Sequence, residues 1–263
     1  MKNISKRQQK RIDYFLKEKQ NRKEKRESIH NQEPPKYLEN RIPVVRRLSR
    51  NIDQLLIVSS FVSPPLKPGL IDRLLVLAEI EEVKPLICLN KSDLVEDPNE
   101  LTQAVKIYKD IGYWVMITSA RTGTGIRELN DLIRNKRSAL AGHSGVGKSS
   151  LLNALQPDLQ IAEGEVSAWN NKGKHTTTQV TTYRLDEKTE VYDLPGLKQL
   201  DFVDIHRDEA RFYFREFLDF AEDCKFNDCL HLSEHDCAIK KAVEEKLISE
   251  QRYKSYCNFV ESL

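Results

Sequence analysis

The chain has 263 residues, of which 39% are hydrophobic and 31% charged. That length allows one large domain or two modest ones at roughly 100–200 residues each. No apolar run approaches the ~20 residues that span a bilayer, and the first 30 residues, charged throughout, do not read as a secretory signal. Four of the five cysteines lie after residue 220, which argues against a disulfide-stapled secreted fold and for a reduced, cytoplasmic setting.

The net charge of +2 conceals an asymmetry. Residues 1–50 carry 16 basic and 6 acidic side chains, and the remainder carries 26 and 34. A +10 arm on a −8 body suggests a partner that is a polyanion. Within the arm, Lys19, Arg22, Lys23 and Arg26 recur at helical spacing, and Pro34-Pro35 ends any helix. The first glycine is Gly69, so no glycine-turned barrel is visible before it.

The body then alternates. Leu55–Val58 reads as a strand buried on both faces, Ile71–Val83 as a helix, and Pro85–Leu89 as a second buried strand. Leu101–Lys109 (helix), Tyr113–Thr118 (strand), Ile126–Arg134 (helix) and Ser138–Ala141 (strand) continue the pattern. Such alternation predicts a parallel sheet with helices on both faces, with ligands at the carboxyl ends of the strands. From about Asp208 the pattern becomes mostly helical.

Gly142-His143-Ser144-Gly145-Val146-Gly147-Lys148-Ser149 fits the phosphate-binding pattern G-x-x-x-x-G-K-[ST] and continues into Ser150. It lies between a predicted strand and a predicted helix, the context that pattern needs. Glycines let backbone N–H groups wrap phosphates, Lys148 reaches the β- and γ-phosphates, and the Ser149 hydroxyl ligates Mg²⁺. Asn90-Lys91-Ser92-Asp93 follows the second buried strand. Its aspartate can accept from N1–H and the 2-amino group of guanine, a donor pair adenine lacks. Asn90 is expected to buttress base and phosphate loop, with the Lys91 stem over the ring. Ser119-Ala120 matches a loop whose backbone supports the guanine carbonyl. Asp193-Leu194-Pro195-Gly196, after the strand Glu190–Tyr192, offers a carboxylate near Mg²⁺ and a glycine N–H for the γ-phosphate. Among Thr176–Thr178, Thr177 is the expected switch threonine on Mg²⁺.

The order of these motifs is unusual. An ordinary small GTPase has the phosphate loop first and the guanine-reading loop late; here Asn90–Asp93 precedes Gly142–Ser149. The cycle is the same but cut elsewhere, a circular permutation, which close chain termini allow. Further on, Cys224, Cys229 and Cys237, with His231 or His235, put four tetrahedral ligands within 14 residues, a closed Cys₃His zinc set. Cys88 and Cys257 read as ordinary buried residues.

Together these features resemble the RsgA (YjeQ) family of circularly permuted GTPases that depend on the small ribosomal subunit. The resemblance covers roughly residues 50–260. It is carried by Asn51–Gln54, Asn90–Asp93, Gly142–Asn153, Gly173–Thr178, Asp193–Gly196, Cys224-x₄-Cys229-x-His231-x₅-Cys237, Ala242–Glu244 and Arg252-Tyr253. It implies a permuted α/β P-loop hydrolase at 51–207 and a mostly α-helical zinc subdomain at 208–263, with zinc on Cys224, Cys229, His231 and Cys237. Mg²⁺ would sit on Ser149, Thr177 and Asp193. GTP hydrolysis would be stimulated by the small subunit, whose rRNA is bound and then released; a monomer with no membrane partner is expected. A GTPase of large-subunit assembly and a non-catalytic RNA-binding zinc protein are the rival readings. Two departures stand out. Residues 1–50 lack the strands and glycines of the family's N-terminal OB barrel. And Leu197 occupies the place of the usual water-orienting glutamine, so by resemblance His175 takes that role beside Lys148 and Thr177.

Overall fold

The computed structural model describes residues 52–162, 181–193 and 205–263, all within the compact unit Pro43–Leu263. The basic arm, His175, Thr176–Thr178, Gly196 and Leu197 lie outside the described residues. Among the described residues there are six strands and six α-helices. In chain order they are β1 (Gln54–Ser60), α1 (Pro68–Ile80), β2 (Lys84–Asn90), α2 (Pro98–Asp110), β3 (Trp114–Ile117), α3 (Ile126–Ile133), β4 (Arg137–Ala141) and α4 (Lys148–Leu155). Then come β5 (Thr181–Arg184), β6 (Glu190–Asp193), α5 (Ala238–Glu244) and α6 (Glu250–Glu261). None of these helices is long and apolar enough to cross a membrane.

One sheet runs in the order β3-β2-β1-β4-β6-β5. All pairings are parallel except β5 with β6. The parallel sheet expected from the sequence therefore carries one antiparallel edge strand. Its residues, Thr181–Arg184, are mostly exposed and show no apolar alternation, so periodicity had nothing to register. The helix read at Ile71–Val83 starts three residues earlier and ends at Ile80, because Pro68 fits the first helical turn and Glu82 takes a left-handed φ of 54°. The second helix likewise starts early: Asp97 caps it, accepting from Asn99 N at 2.9 Å, and Pro98 follows.

Every residue of β1 is buried, which explains its unbroken apolar run. Leu55 and Ile57 face one layer with Leu74, Leu75 and Tyr108 of α1 and α2. Leu56 and Val58 face the other with Leu129, Leu151 and Leu152 of α3 and α4. Truncating Leu56, wholly buried, is expected to cost about 2–5 kcal/mol. A third cluster joins Phe214, Phe217, Tyr256 and Phe259 of the C-terminal region to Val76 of α1. That region has short 3₁₀ turns before α5 and α6.

The register decides where chemistry is placed. Ser60 pairs with Asn90, Leu89 with Ile117, Ile57 with Ala141, and Leu140 with Asp193. The loops after β1, β2, β3 and β4, and the end of β6, thus share one edge of the sheet.

Candidate nucleotide site and cysteine cluster

The phosphate loop leaves β4 at Gly142 and enters α4 at Lys148. A Cβ on Gly142 would lie 2.2 Å from Val58 O, so no other residue fits there. Gly147 has φ +91°, and a Cβ on it would lie 2.5 Å from Asn90 Nδ2. The close approach has a purpose: Asn90 Nδ2 donates to Val146 O at 3.0 Å, tying the second motif to the phosphate loop. Lys148 is buried, and its ammonium donates to Gly142 O (2.9 Å) and His143 O (3.1 Å). Ser149 is buried beside it at the start of the helix, and Ser150 follows in the same first turn.

Asn90 is the hinge of the base side. Its Oδ1 accepts from Thr118 Oγ1 and from Ala120 N, both at 3.2 Å. Lys91, in the left-handed region, donates through Nζ to Gly145 O (2.7 Å) and Ser63 O (2.6 Å). Asp93 Oδ1 accepts from Ser119 Oγ at 2.5 Å, and Oδ2 pairs with Arg121 Nε at 2.9 Å. The Ser119 hydroxyl chiefly, with Arg121 adding, holds the Asp93 carboxyl below the usual carboxylate range, so it is a charged acceptor at neutral pH. Sequence reasoning assigned Ser119 only a backbone role and missed Arg121 and the Ser60–Lys67 loop. The signal for that loop was topological: β1 lies next to β2 and β4, so its carboxyl end had to border the site.

Asp193 ends β6 opposite Leu140, one residue before the strand end that feeds the phosphate loop. Burial pushes its carboxyl up to about 6 against the pull of the Lys148 ammonium. Asn90, Lys91, Asp93, Ser119, Ala120, the whole phosphate loop and Asp193 therefore sit along one edge. His143, within that loop, meets Lys67 Nζ through Nε2 at 2.9 Å.

The second constellation is separate. Cys224, Cys229, His231 and Cys237 are gathered with their ligand atoms within 4.8 Å of one another. His231 Nδ1 lies 3.5 Å from Cys224 Sγ and 3.4 Å from Cys237 Sγ, and the two sulfurs are 3.9 Å apart. His235 is exposed and outside this group. His231 holds a left-handed φ of 59°. Its Nε2, without a hydrogen-bond partner, sits among the Phe217 and Tyr256 rings, whose centroids are 5.8 and 6.1 Å from the imidazole. Burial lowers the His231 pKa to about 4 and raises that of Cys229 to about 12. The imidazole is thus neutral and suited to ligation, and burial keeps the Cys229 thiol protonated until a bound cation displaces the proton to solvent. Three thiols and an imidazole nitrogen suit a borderline-soft ion in a closed tetrahedral site. Cys88 is fully buried and bonded to Thr118 Oγ1 at 3.0 Å; Cys257 is only half-buried.

A mostly parallel sheet with a G-x-x-x-x-G-K-S loop, the Asn90–Asp93 motif and the carboxylate of Asp193 on one edge, in permuted order, has the features of a circularly permuted P-loop GTPase. Known proteins point the same way. The RsgA GTPase family model matches residues 29–203. A small ribosomal subunit biogenesis GTPase RsgA of Caldanaerobacter subterraneus is 43% identical over 81% of this chain and 72% of its own length. One of Bacillus cereus is 42% identical over 84% and 75%. The crystal structure of YjeQ from Thermotoga maritima superposes with a TM-score of 0.66 at 37% identity, covering 81% of this chain and 72% of that one. That of YloQ, a circularly permuted GTPase, gives 0.64 at 32%, covering 80% and 68%. The chain belongs to the RsgA GTPase family.

Proposed function

We propose that this protein hydrolyses GTP in the assembly of the small ribosomal subunit, binding the subunit's rRNA and leaving after hydrolysis. The observation that carries the reading is Asn90: one side chain holds both the phosphate loop and the loop that orients Asp93. A purine read by Asp93 is thereby registered against phosphates held by Gly142–Lys148. The relatives named for small-subunit biogenesis supply the partner class.

In this reading water attacks the γ-phosphate in line, and Lys148 turns from the loop carbonyls to the β- and γ-oxygens. Hydroxyl and carboxylate oxygens suit a hard cation, so Ser149, Asp193 and Thr177 would hold the Mg²⁺, which when bound neutralises charge on the phosphates. His175 orients the water in place of a glutamine, and Gly196 donates its N–H to the γ-phosphate. The Cys₃His set takes one structural zinc. Residues 51–207 form the hydrolase and 208–263 the zinc subdomain; residues 1–50 contact rRNA phosphates. The protein acts as a cytoplasmic monomer with no membrane partner. Co-sedimentation with separated subunits tests this: a GTP analogue should drive it onto small subunits, and GDP should release it. Preference for large subunits, or indifference to the nucleotide, would contradict it.

A further inference from the structure

Arg252 of α6 is buried to 1% exposure between two carboxylates from different elements. Its Nε and Nη2 fork onto Glu216, at 2.6 and 3.1 Å, in the turn Arg215–Phe217. Its Nη1 reaches Asp72 Oδ1 of α1 at 2.5 Å. The guanidinium also lies over the Phe214 ring, 4.6 Å from its centroid. Buried ion pairs are poor stabilisers, since apolar residues of equal volume do as well or better; their best-attested use is to fix one arrangement against others. What this one fixes is visible on its two sides.

On one side, α1 begins at Pro68, directly after the Lys67 that touches His143 of the phosphate loop. On the other, the same turn of α6 holds the cysteine cluster by its backbone. Tyr253 Oη donates to His231 O and Tyr256 Oη to Leu230 O, both at 2.8 Å. Tyr108 of α2 and Ser255 of α6 face the same Asp72 carboxylate, so α1, α2, the Arg215–Phe217 turn and α6 meet in one buried polar network. Coupling between distant sites is carried by such contiguous networks of packed and hydrogen-bonded groups.

We propose that Arg252 is a positioning residue that couples the phosphate loop to the Cys/His loop, so that nucleotide bound at one changes the local stability of the other. This rests on the GTPase reading of the crevice. It gives the C-terminal region a route to sense the nucleotide through α1, independent of the segment after Asp193.

Amide hydrogen exchange of the full, zinc-loaded chain tests it, with and without a non-hydrolysable GTP analogue. In the wild type, nucleotide should change exchange at residues 228–237 by about fivefold or more. Replacing the whole triad, D72L/E216L/R252M, avoids leaving a buried charge unpaired. This variant should bind the analogue as tightly as the wild type, yet its nucleotide effect at 228–237 should fall below about twofold. Arg252→Lys keeps the charge but loses the fork, and should give an intermediate effect; it decides the question if the triple variant does not fold. A wild type that binds the analogue with no change at 228–237, or an Arg252→Lys or triad variant with the full response, would overturn the coupling. A wild type that binds no guanine nucleotide would overturn the GTPase reading, and the coupling with it.

Discussion

In the nucleotide crevice the working groups ride on strand ends whose positions are set by backbone pairing, from Ser60↔Asn90 to Leu140↔Asp193. In the Cys/His loop they ride on a stretch of turns and irregular backbone, held by side chains: Tyr253, Tyr256, Arg211 on Cys229 O at 3.1 Å, and Glu234 accepting from Leu230 N and Leu232 N. The described residues of the crevice are placed by the sheet, whereas the cluster gathers its four donor atoms within 4.8 Å of one another. Sites set by backbone pairing keep their shape without a ligand, whereas a loop held chiefly by side chains would gain much of its stability from the zinc proposed for it. Each region should therefore fail differently.

The largest effect is expected at the cluster. With the proposed zinc bound, stripping it, or Cys229→Ser, should remove stabilisation on the order of 10 kcal/mol from the loop. Limited proteolysis would then cut within 224–237 while the sheet stays folded. Next comes Lys148→Ala, which should lower GTP turnover about 10²–10³-fold, as when one preorganised donor to transition-state charge is lost, with the melting temperature nearly unchanged. Asp93→Asn should weaken GTP binding about 10²-fold through loss of charge-assisted hydrogen bonds. Xanthosine triphosphate, with a carbonyl where guanine has an amino group, should recover much of that loss in equilibrium binding.

The smallest effect concerns pH. Burial holds Asp193 at about 6 against an ordinary 3.8. Folding therefore takes up a proton between those values. The stabilisation from this group is full below that window and is lost as pH rises through 6. The ionised form is the one that suits a cation. The Mg²⁺ concentration for half-maximal turnover should rise as pH falls below about 6, and Asp193→Asn should flatten that dependence. An unchanged slope in the variant would remove Asp193 from the cation's ligands.

Much of this was legible in the sequence because the signals were of the right kind. The buried strands β1 and β2 each contain an unbroken apolar run, β4 a shorter one at Ala139–Ala141, and the phosphate loop is set by glycines that sterics demand. The four metal-type ligands are chemically distinct and close in sequence. What stayed illegible depends on long-range register. Ser119 on Asp93, Lys91 on Ser63 O, and Arg252 between Asp72 and Glu216 join residues 26 to 180 positions apart. None leaves a local pattern. Strand β5 was hidden for the opposite reason: at an exposed edge its residues are free to be polar.

A GTPase whose partner is the small subunit is tested most directly by GTP turnover of the full chain measured alone, with small subunits and with large subunits. Slow intrinsic turnover, marked stimulation by small subunits and none by large ones are expected. Stimulation by large subunits alone, or by neither, would contradict that assignment.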